Sequence, residues 1–162
     1  MPIIECNPTR VSQPGTMRAR RETPPTGARI AVINPPDEHL VSLLRILRGY
    51  GYRADWMTDC KDALTSLAGA AIPVVICERD LPDGSWLDVM TQTELMPQRP
   101  LLIVTSMFAD ERLWAEVLNL GGYDVLQKPF NEVEVIGMVG QAFRCWLRTR
   151  VAGPASEWPR SA

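Results

Sequence analysis

Polar and charged side chains stand directly after several short apolar runs of this chain. Glu78 follows one of these runs, Thr105 closes another and Lys128 follows a third. Asn34 and Pro35 come directly after the first apolar run. In open parallel sheets, the carboxyl ends of the strands form the edge at which ligands bind. A carboxylate, a hydroxyl and an ammonium brought to that edge would suit an anion or a phosphoryl group.

The composition is that of an ordinary globular protein and gives no reason to expect nucleic-acid or membrane binding. Of the 162 residues, 46% are apolar and 22% are charged, and the formal net charge is −2. This length accommodates one domain of about 120 residues with tails. No apolar run reaches the roughly 18 residues of a membrane span, and no signal peptide is recognisable. The four cysteines lack metal-binding spacing. We therefore expect a cytoplasmic protein without a metal site.

The apolar runs alternate with amphipathic segments, which predicts a doubly wound α/β fold. Residues 74–77 form a continuous apolar run rich in β-branched side chains, as expected for a strand buried on both faces. After Asp37, which can cap a helix, the leucines have the spacing of a core-facing helix: Leu40, Leu43, Leu44 and Leu47. Five strand–helix units, (βα)5, predict a five-stranded parallel sheet covered on both faces. The last helix is expected over residues 131–148.

The chain divides into one domain over residues 28–148 and two tails. Residues 1–27 contain five prolines without apolar periodicity and residues 149–162 are polar, so we expect both tails to be disordered. The first tail contains three closely spaced arginines, Arg18, Arg20 and Arg21. A solvated tail is favoured for them over contact with an acidic partner. Met17 is an alternative start of the chain.

Several short motifs share the order and spacing of a known signalling family. Residues 81–85 follow Glu78 closely, Thr105 and Ser106 end an apolar strand, and residues 128–130 end the last one. In this arrangement the chain resembles a response-regulator receiver domain over about residues 29–147. The resemblance implies a flavodoxin-like fold with two helices on one face and three on the other. It also implies a role in two-component, phosphorelay signal transduction.

The resemblance assigns roles to six positions at and near the strand ends. In receivers of this type, two acids after the first strand and an aspartate after the third hold Mg²⁺, and the aspartate accepts a phosphoryl group from a histidine kinase. A threonine and a lysine bind the phosphoryl oxygens, and an aromatic residue on the fifth strand follows the threonine inward. The corresponding residues here are Asn34 and Pro35 for the acid pair, Glu78 for the phosphoacceptor, Thr105 and Lys128 for the phosphate pocket, and Val125 for the switch aromatic. Only Thr105 and Lys128 match the family pattern.

The changed residues remove much of the chemistry that phosphoryl transfer needs. Mg²⁺ prefers octahedral oxygen ligands with one or two carboxylates, whereas Asn34 offers one neutral oxygen and the Pro35 side chain offers none. We therefore expect weak or absent Mg²⁺ binding, and phosphoryl transfer depends on charge neutralisation by the metal. Glu78 is also one methylene longer than aspartate, which moves its carboxylate towards Thr105 and Lys128. Our hypothesis is a permanent Glu78–Lys128 pair that fixes one conformation and prevents phosphorylation.

The sequence leaves more than one role open for Glu78. A structural ion pair with Lys128 is favoured, ahead of a constitutive mimic of the active state. The alternative is a phosphorylatable receiver that uses Glu78 or, as a displaced acceptor, Asp80. A small flavodoxin-like enzyme is disfavoured, because residues 34–36 cannot form a glycine-rich phosphate loop and no nucleophile–base pair is present. We expect a stand-alone, atypical receiver (a pseudo-receiver) that is no enzyme and acts as a phosphorylation-independent protein-interaction module.

The expected partners are proteins of a two-component pathway, either a histidine kinase or a downstream regulator. The resemblance alone suggests that they bind the face of the fourth helix, the fifth strand and the last helix, through which a homodimer is also possible. No direct binding to DNA or to a membrane is expected. Phe108 and Trp114 suit either a partner surface or the core. Trp86 is expected to pack in the core beneath the third helix rather than to fill space over the site.

Overall fold

The computed structural model describes residues 27–151 of the chain. Most of the two predicted tails, together with Met17 and the three arginines of the first tail, therefore lies outside the described residues. Within the described part, no helix combines the length and the apolar character needed to cross a membrane.

Strands and helices alternate along the described chain. Five strands form one parallel sheet: β1 (Arg29–Ile33), β2 (Arg53–Met57), β3 (Val74–Glu78), β6 (Leu101–Ser106) and β7 (Asp124–Gln127). Two strands of two residues each, β4 (Asp80–Leu81) and β5 (Gly84–Ser85), form a small antiparallel hairpin after β3. The helices are α1 (Glu38–Gly49), α2 (Cys60–Leu67), α3 (Trp86–Thr93), α4 (Glu111–Asn119) and α5 (Glu132–Val151).

The strand order in the sheet is β2-β1-β3-β6-β7, so β3 lies at its centre. All neighbouring strands in this sheet pair in parallel. The prediction of a flavodoxin-like, doubly wound sheet with five parallel strands is therefore confirmed. The order of connection reverses between β1 and β3, and in open α/β sheets ligands bind at the carboxyl edge beside such a reversal.

Alternate residues of β3 face opposite layers of the core, because side chains alternate along a strand. Val74 and Ile76 pack in one cluster with residues of α1 and α5. Val75 and Cys77 pack in a second cluster with residues of α2, α3 and α4. Two helices therefore cover one face of the sheet and three cover the other, as expected. Trp86 is 3% exposed and belongs to the second cluster, which confirms that it packs in the core.

Capping side chains determine where most of the helices begin. In α1, α2 and α4 a capping aspartate accepts a hydrogen bond from the backbone N–H three residues later. Ser85 caps α3 in a reciprocal arrangement with Asp88. The end of α5 differs from the prediction, because the helix continues past Arg148 to Val151. No glycine or proline stands between Gly140 and Gly153 to end it earlier.

The hairpin of β4 and β5 is attached to the start of α2. Asp83 accepts hydrogen bonds from the backbone N–H groups of Cys60 (2.8 Å) and Lys61 (3.1 Å). N–H groups in the first turn of a helix have no partner within the helix. The bond from Cys60 is the main reason that the pKa of Asp83 is lowered. The hairpin is thus fixed beside the carboxyl end of β3.

Candidate functional site

The parallel register brings four of the predicted residues together at the carboxyl edge of the sheet. Glu78, the last residue of β3, is paired in register with Thr105 on β6. Lys128 directly follows β7, and its backbone N–H donates to the carbonyl of Ser106. Asn34 directly follows β1 and donates its backbone N–H to the carbonyl of Met57. Each residue is placed by the end of a strand, which is why their positions follow from the topology.

Lys128 lies at the centre of the site and is almost completely buried, with 3% of its side chain exposed. Its Nζ is 2.6 Å from Glu78 Oε2, 2.8 Å from Asp37 Oδ2 and 2.9 Å from Asn34 Oδ1. An ammonium has three N–H donors and no acceptor, so three oxygens satisfy it completely. A buried lysine requires such partners, because an unpaired buried charge is strongly destabilising.

Glu78 joins the lysine to the threonine. Its Oε2 also accepts a hydrogen bond of 2.8 Å from Thr105 Oγ1. Thr105 is 1% exposed and the Glu78 side chain is 16% exposed, so both groups are largely removed from water. The hydroxyl and the ammonium that match the family pattern are therefore both directed at the Glu78 carboxylate.

Asp37 is a member of the site that the sequence reasoning missed. The sequence predicts it only as the cap of α1, and its Oδ1 does accept the backbone N–H of Leu40 at 2.7 Å. Its other carboxylate oxygen contacts Lys128. Partial burial by itself would raise the pKa of Asp37, but hydrogen bonds from Lys128, Leu40 and Asn34 lower it below its ordinary value. The feature of the sequence that could have indicated this role is that Asp37 is an acid in the same loop after β1 as Asn34.

Asn34 occupies the first acid-pair position and is held on several sides. It is 2% exposed, its side-chain amide donates to the carbonyl of Pro35, and its own carbonyl accepts the indole N–H of Trp56 at 2.8 Å. Pro35 is half-buried and supplies no side-chain oxygen. The loop after β1 therefore contributes one neutral amide oxygen, together with the carboxylate of Asp37.

The oxygens present do not fit Mg²⁺ in this arrangement. Asn34, Asp37 and Glu78 provide one amide and two carboxylates, which are ligands of the kind that Mg²⁺ prefers. All three, however, converge on the ammonium of Lys128. Within residues 27–151, no group of three or more acidic, histidine or cysteine side chains is arranged to hold a metal ion.

Two further predicted positions lie apart from this cluster. Val125 is buried at 8% exposure in the core layer of α2, α3 and α4. Asp80 is exposed in the hairpin, where it pairs with Ser85. Among the described residues, the Asp80 carboxylate makes no hydrogen bond to Thr105 and no ion pair with Lys128, the two contacts that Glu78 makes. The Lys128–Pro129 peptide bond is cis.

Comparison with known proteins agrees with this fold. The model of the response regulator receiver domain family matches residues 30–140, which is more than half of the chain. The chain therefore belongs to the response regulator receiver domain family, whose members are signalling modules of two-component systems. It is 36% identical over 87 residues to the transcriptional regulatory protein QseB of Escherichia coli O157:H7. That match covers 52% of this chain and 39% of QseB, so the chain spans well under half of that relative.

Solved structures show the same fold. The signal receiver domain of an HD domain-containing protein from Pseudomonas fluorescens Pf-5 superposes with a TM-score of 0.70 at 23% identity, covering 80% of this chain and 96% of that one. The NtrC4 receiver domain, solved in solution as a beryllofluoride-activated dimer, has a TM-score of 0.67 at 22% identity. The match covers 74% of this chain and 98% of the NtrC4 receiver domain.

Proposed function

We propose that this receiver domain is atypical and that it works as a phosphorylation-independent protein-interaction module in a two-component pathway. The observation that carries the proposal is the environment of Lys128, whose ammonium is within 2.9 Å of three oxygens. A lysine satisfied in this way has no donor left for an incoming phosphoryl oxygen. The site is thus closed by an internal cluster of charges.

The chemistry of phosphoryl transfer supports the same proposal. Transfer needs positioned cations that neutralise the charge on the phosphoryl oxygens, and Mg²⁺ normally supplies most of that charge. Here the loop after β1 offers Asn34 and Pro35 in place of two acids. The carboxylate of Glu78 already accepts from Thr105 and Lys128. We therefore infer weak or absent Mg²⁺ binding and no transfer to Glu78.

Family membership supports the proposed kind of partner. We infer that the domain acts in the cytoplasm by binding a histidine kinase or a downstream regulator, and that it has no enzymatic role. The face made by α4, β7 and α5 is the proposed contact surface, with a homodimer as one possible assembly. The NtrC4 receiver domain, which is a dimer in solution, supports that possibility by likeness only.

Intact-mass analysis tests the proposal. The full chain is incubated with Mg²⁺ and acetyl phosphate, with an ordinary receiver domain in a parallel sample to verify the phosphodonor. We expect no phosphoryl-sized mass increase. The matched variant combines Asn34→Asp, Pro35→Asp and Glu78→Asp, which restores the carboxylates of the family pattern. This variant should gain a Mg²⁺-dependent increase of one phosphoryl group.

A Mg²⁺-dependent mass increase in the unchanged chain would overturn the proposal. Glu78→Gln and Asp80→Asn would then identify the acceptor, since only one of them should abolish the increase. Tryptophan fluorescence gives a second measurement of Mg²⁺ binding, because the Trp56 indole N–H donates a hydrogen bond to the Asn34 carbonyl beside the site. It should respond to Mg²⁺ in the triple variant and stay constant in the unchanged chain.

A further inference from the structure

A groove with an apolar floor lies between the starts of α4 and α5 and the strand β7. Its volume is about 290 Å³, and Ala109, Trp114 and Val125 provide its apolar lining. Ligand pockets for drug-sized molecules usually range from about 300 to 1,000 Å³. This groove lies at the lower limit of that range, so it suits a single long side chain better than a whole small molecule.

The rim of the groove is acidic. Asp110, Glu111 and Glu134 line it, and Asp124 contacts the lining residue Trp114. Within residues 27–151, none of these four carboxylates has a lysine, arginine or histidine nitrogen within 4.0 Å. Burial raises the pKa values of Asp124 and Glu134, and the charge of Asp124 raises that of Glu134 further. The groove therefore combines apolar surface with negative charge that no cation of the described domain balances.

Some of this charge has an ordinary structural role. Asp110 caps α4, and Glu111 and Glu134 lie in the first turns of their helices, where negative side chains interact favourably with the positive end of the helix dipole. Asp124 is different, because it lies on β7 and not at a helix end. Its carboxylate accepts hydrogen bonds from the Trp114 indole at 3.2 Å and from the Val125 backbone at 2.8 Å.

The hydrogen bond to Asp124 orients the Trp114 side chain, which is partly exposed to solvent. It is 45% exposed, and its N–H bond to Asp124 fixes the plane of the ring. An exposed, fixed tryptophan is a favourable surface for a cation, and arginine stacks on such rings more readily than lysine because its guanidinium is planar. Exposed tryptophans are also enriched among the residues that dominate binding energy at interfaces.

We propose that this groove binds an arginine side chain presented by a partner protein, with its aliphatic stem on Val125, its guanidinium against Trp114 and its charge facing Asp124 and Glu134. The inference rests on the proposed function, because it assumes that the domain acts by binding protein. It adds the chemistry of the contact: a basic segment with an apolar neighbour fits, and an acidic segment is repelled by the rim.

A titration followed by two-dimensional ¹H–¹⁵N NMR tests the proposal on the full chain. The probe is the peptide acetyl-Leu-Arg-Leu-amide, and the control peptide carries citrulline, which is neutral but nearly the same shape, in place of arginine. No Mg²⁺ or phosphodonor is added. We expect the Trp114 indole signal, identified with Trp114→Phe, and the Val125 amide signal to shift with the arginine peptide only.

The substitution Asp124→Asn tests the role of charge, because asparagine can still accept the Trp114 hydrogen bond. It should weaken binding about tenfold, the loss expected when a hydrogen bond to a charged group becomes neutral. The matched control Asp62→Asn removes the same charge from an exposed position on α2, and it should leave the affinity unchanged.

Three results would overturn the inference. They are equal shifts with the citrulline peptide, no shifts with either peptide, or equal weakening by both aspartate substitutions. A fourth concerns the chain itself: if replacing Arg18, Arg20 and Arg21 by glutamine moves the Trp114 signal without peptide, the groove is occupied by this chain and not by a partner. The mass experiment is independent of these outcomes. If the peptide does not bind, the proposed absence of phosphorylation still stands. If the chain is phosphorylated, the result of the peptide titration still stands.

Discussion

Lys128 is the residue on which the closed site depends. It is buried, it is the cation of the cluster, and it contacts two residues of the loop after β1 and the last residue of β3. Glu78 takes part in the same cluster and also accepts from Thr105. Two carboxylates and one ammonium leave the cluster with one excess negative charge when all are ionised, so removal of the lysine affects it most.

Replacing Lys128 by methionine should destabilise the protein, because the carboxylates of Asp37 and Glu78 would be left together without a counter-charge. Breaking a fully buried pair costs about 3–5 kcal/mol. We expect roughly 2–3 kcal/mol here, because water reaches part of the Asp37 side chain and screens its charge. Urea unfolding of both proteins measures this difference.

Two further variants control for side-chain size and charge. Lys61→Met removes a lysine from the exposed start of α2 and should change the free energy of unfolding little. Adding Glu78→Gln to Lys128→Met should recover part of the lost stability, because one of the two unbalanced carboxylates is then neutral. Equal losses for the two lysine variants would contradict the role given to the cluster.

Asp37 should make stability depend on pH in a definite direction. Its pKa is lower in the folded state than the ordinary value of 3.8, so the folded state binds this proton less tightly than the unfolded chain does. The resulting stability is present above pH 3.8 and is lost as the pH falls through the folded-state pKa. Asp37→Asn keeps a capping residue and should therefore reduce stability at neutral pH, by an amount that shrinks in acid. Urea unfolding across this range measures it, and a constant difference would argue against an ionic contact with Lys128.

At the scale of secondary structure, the hairpin after β3 depends on one side chain. Asp83→Ala removes the acceptor for the N–H groups of Cys60 and Lys61, so the first turn of α2 should exchange its amide hydrogens faster. Asp80→Ala is the matched control, because the Asp80 carboxylate makes no hydrogen bond or ion pair with other residues in the described range 27–151. Equal effects of the two substitutions on hydrogen exchange would mean that Asp83 does not hold the hairpin to the helix.

The elements were predictable where local signals are strong. The continuous apolar run of β3 and the leucine spacing of α1 gave the right type of structure, and the capping residue Asp37 gave the right start of α1. The hairpin was missed because two residues per strand leave no periodicity to read. The end of α5 was placed too early because the sequence has no stop signal there and tertiary packing decides.

The site was predictable only in part, for a related reason. Parallel topology alone brings Glu78, Thr105 and Lys128 to one edge, so their proximity follows from the strand order. Asp37 was not predicted to join them, because its contact with Lys128 connects residues that are 91 positions apart. The acidic groove likewise forms from α4, β7 and α5 together, and no single segment indicates it.

On the scale of the whole molecule, the closed site and the acidic groove involve neighbouring parts of the same sheet edge. β7 contributes the floor of the groove through Val125, and it leads directly into Lys128. The two features are nevertheless chemically separate, because the Lys128 ammonium has three oxygen partners, whereas the groove carboxylates have no cation partner among the described residues. Binding at the groove therefore needs no change at the lysine.

The position of Lys128 in the chain also has a consequence for biosynthesis. Its partners Asn34 and Asp37 precede it by 94 and 91 residues, so the cluster closes over most of the domain. Contacts of this range slow folding, because a long loop must be ordered before they form. A ribosome delivers the amino-terminal part first, so the carboxylates emerge without their cation. The ammonium can reach the carboxylates only after Lys128, which directly follows β7, has left the exit tunnel.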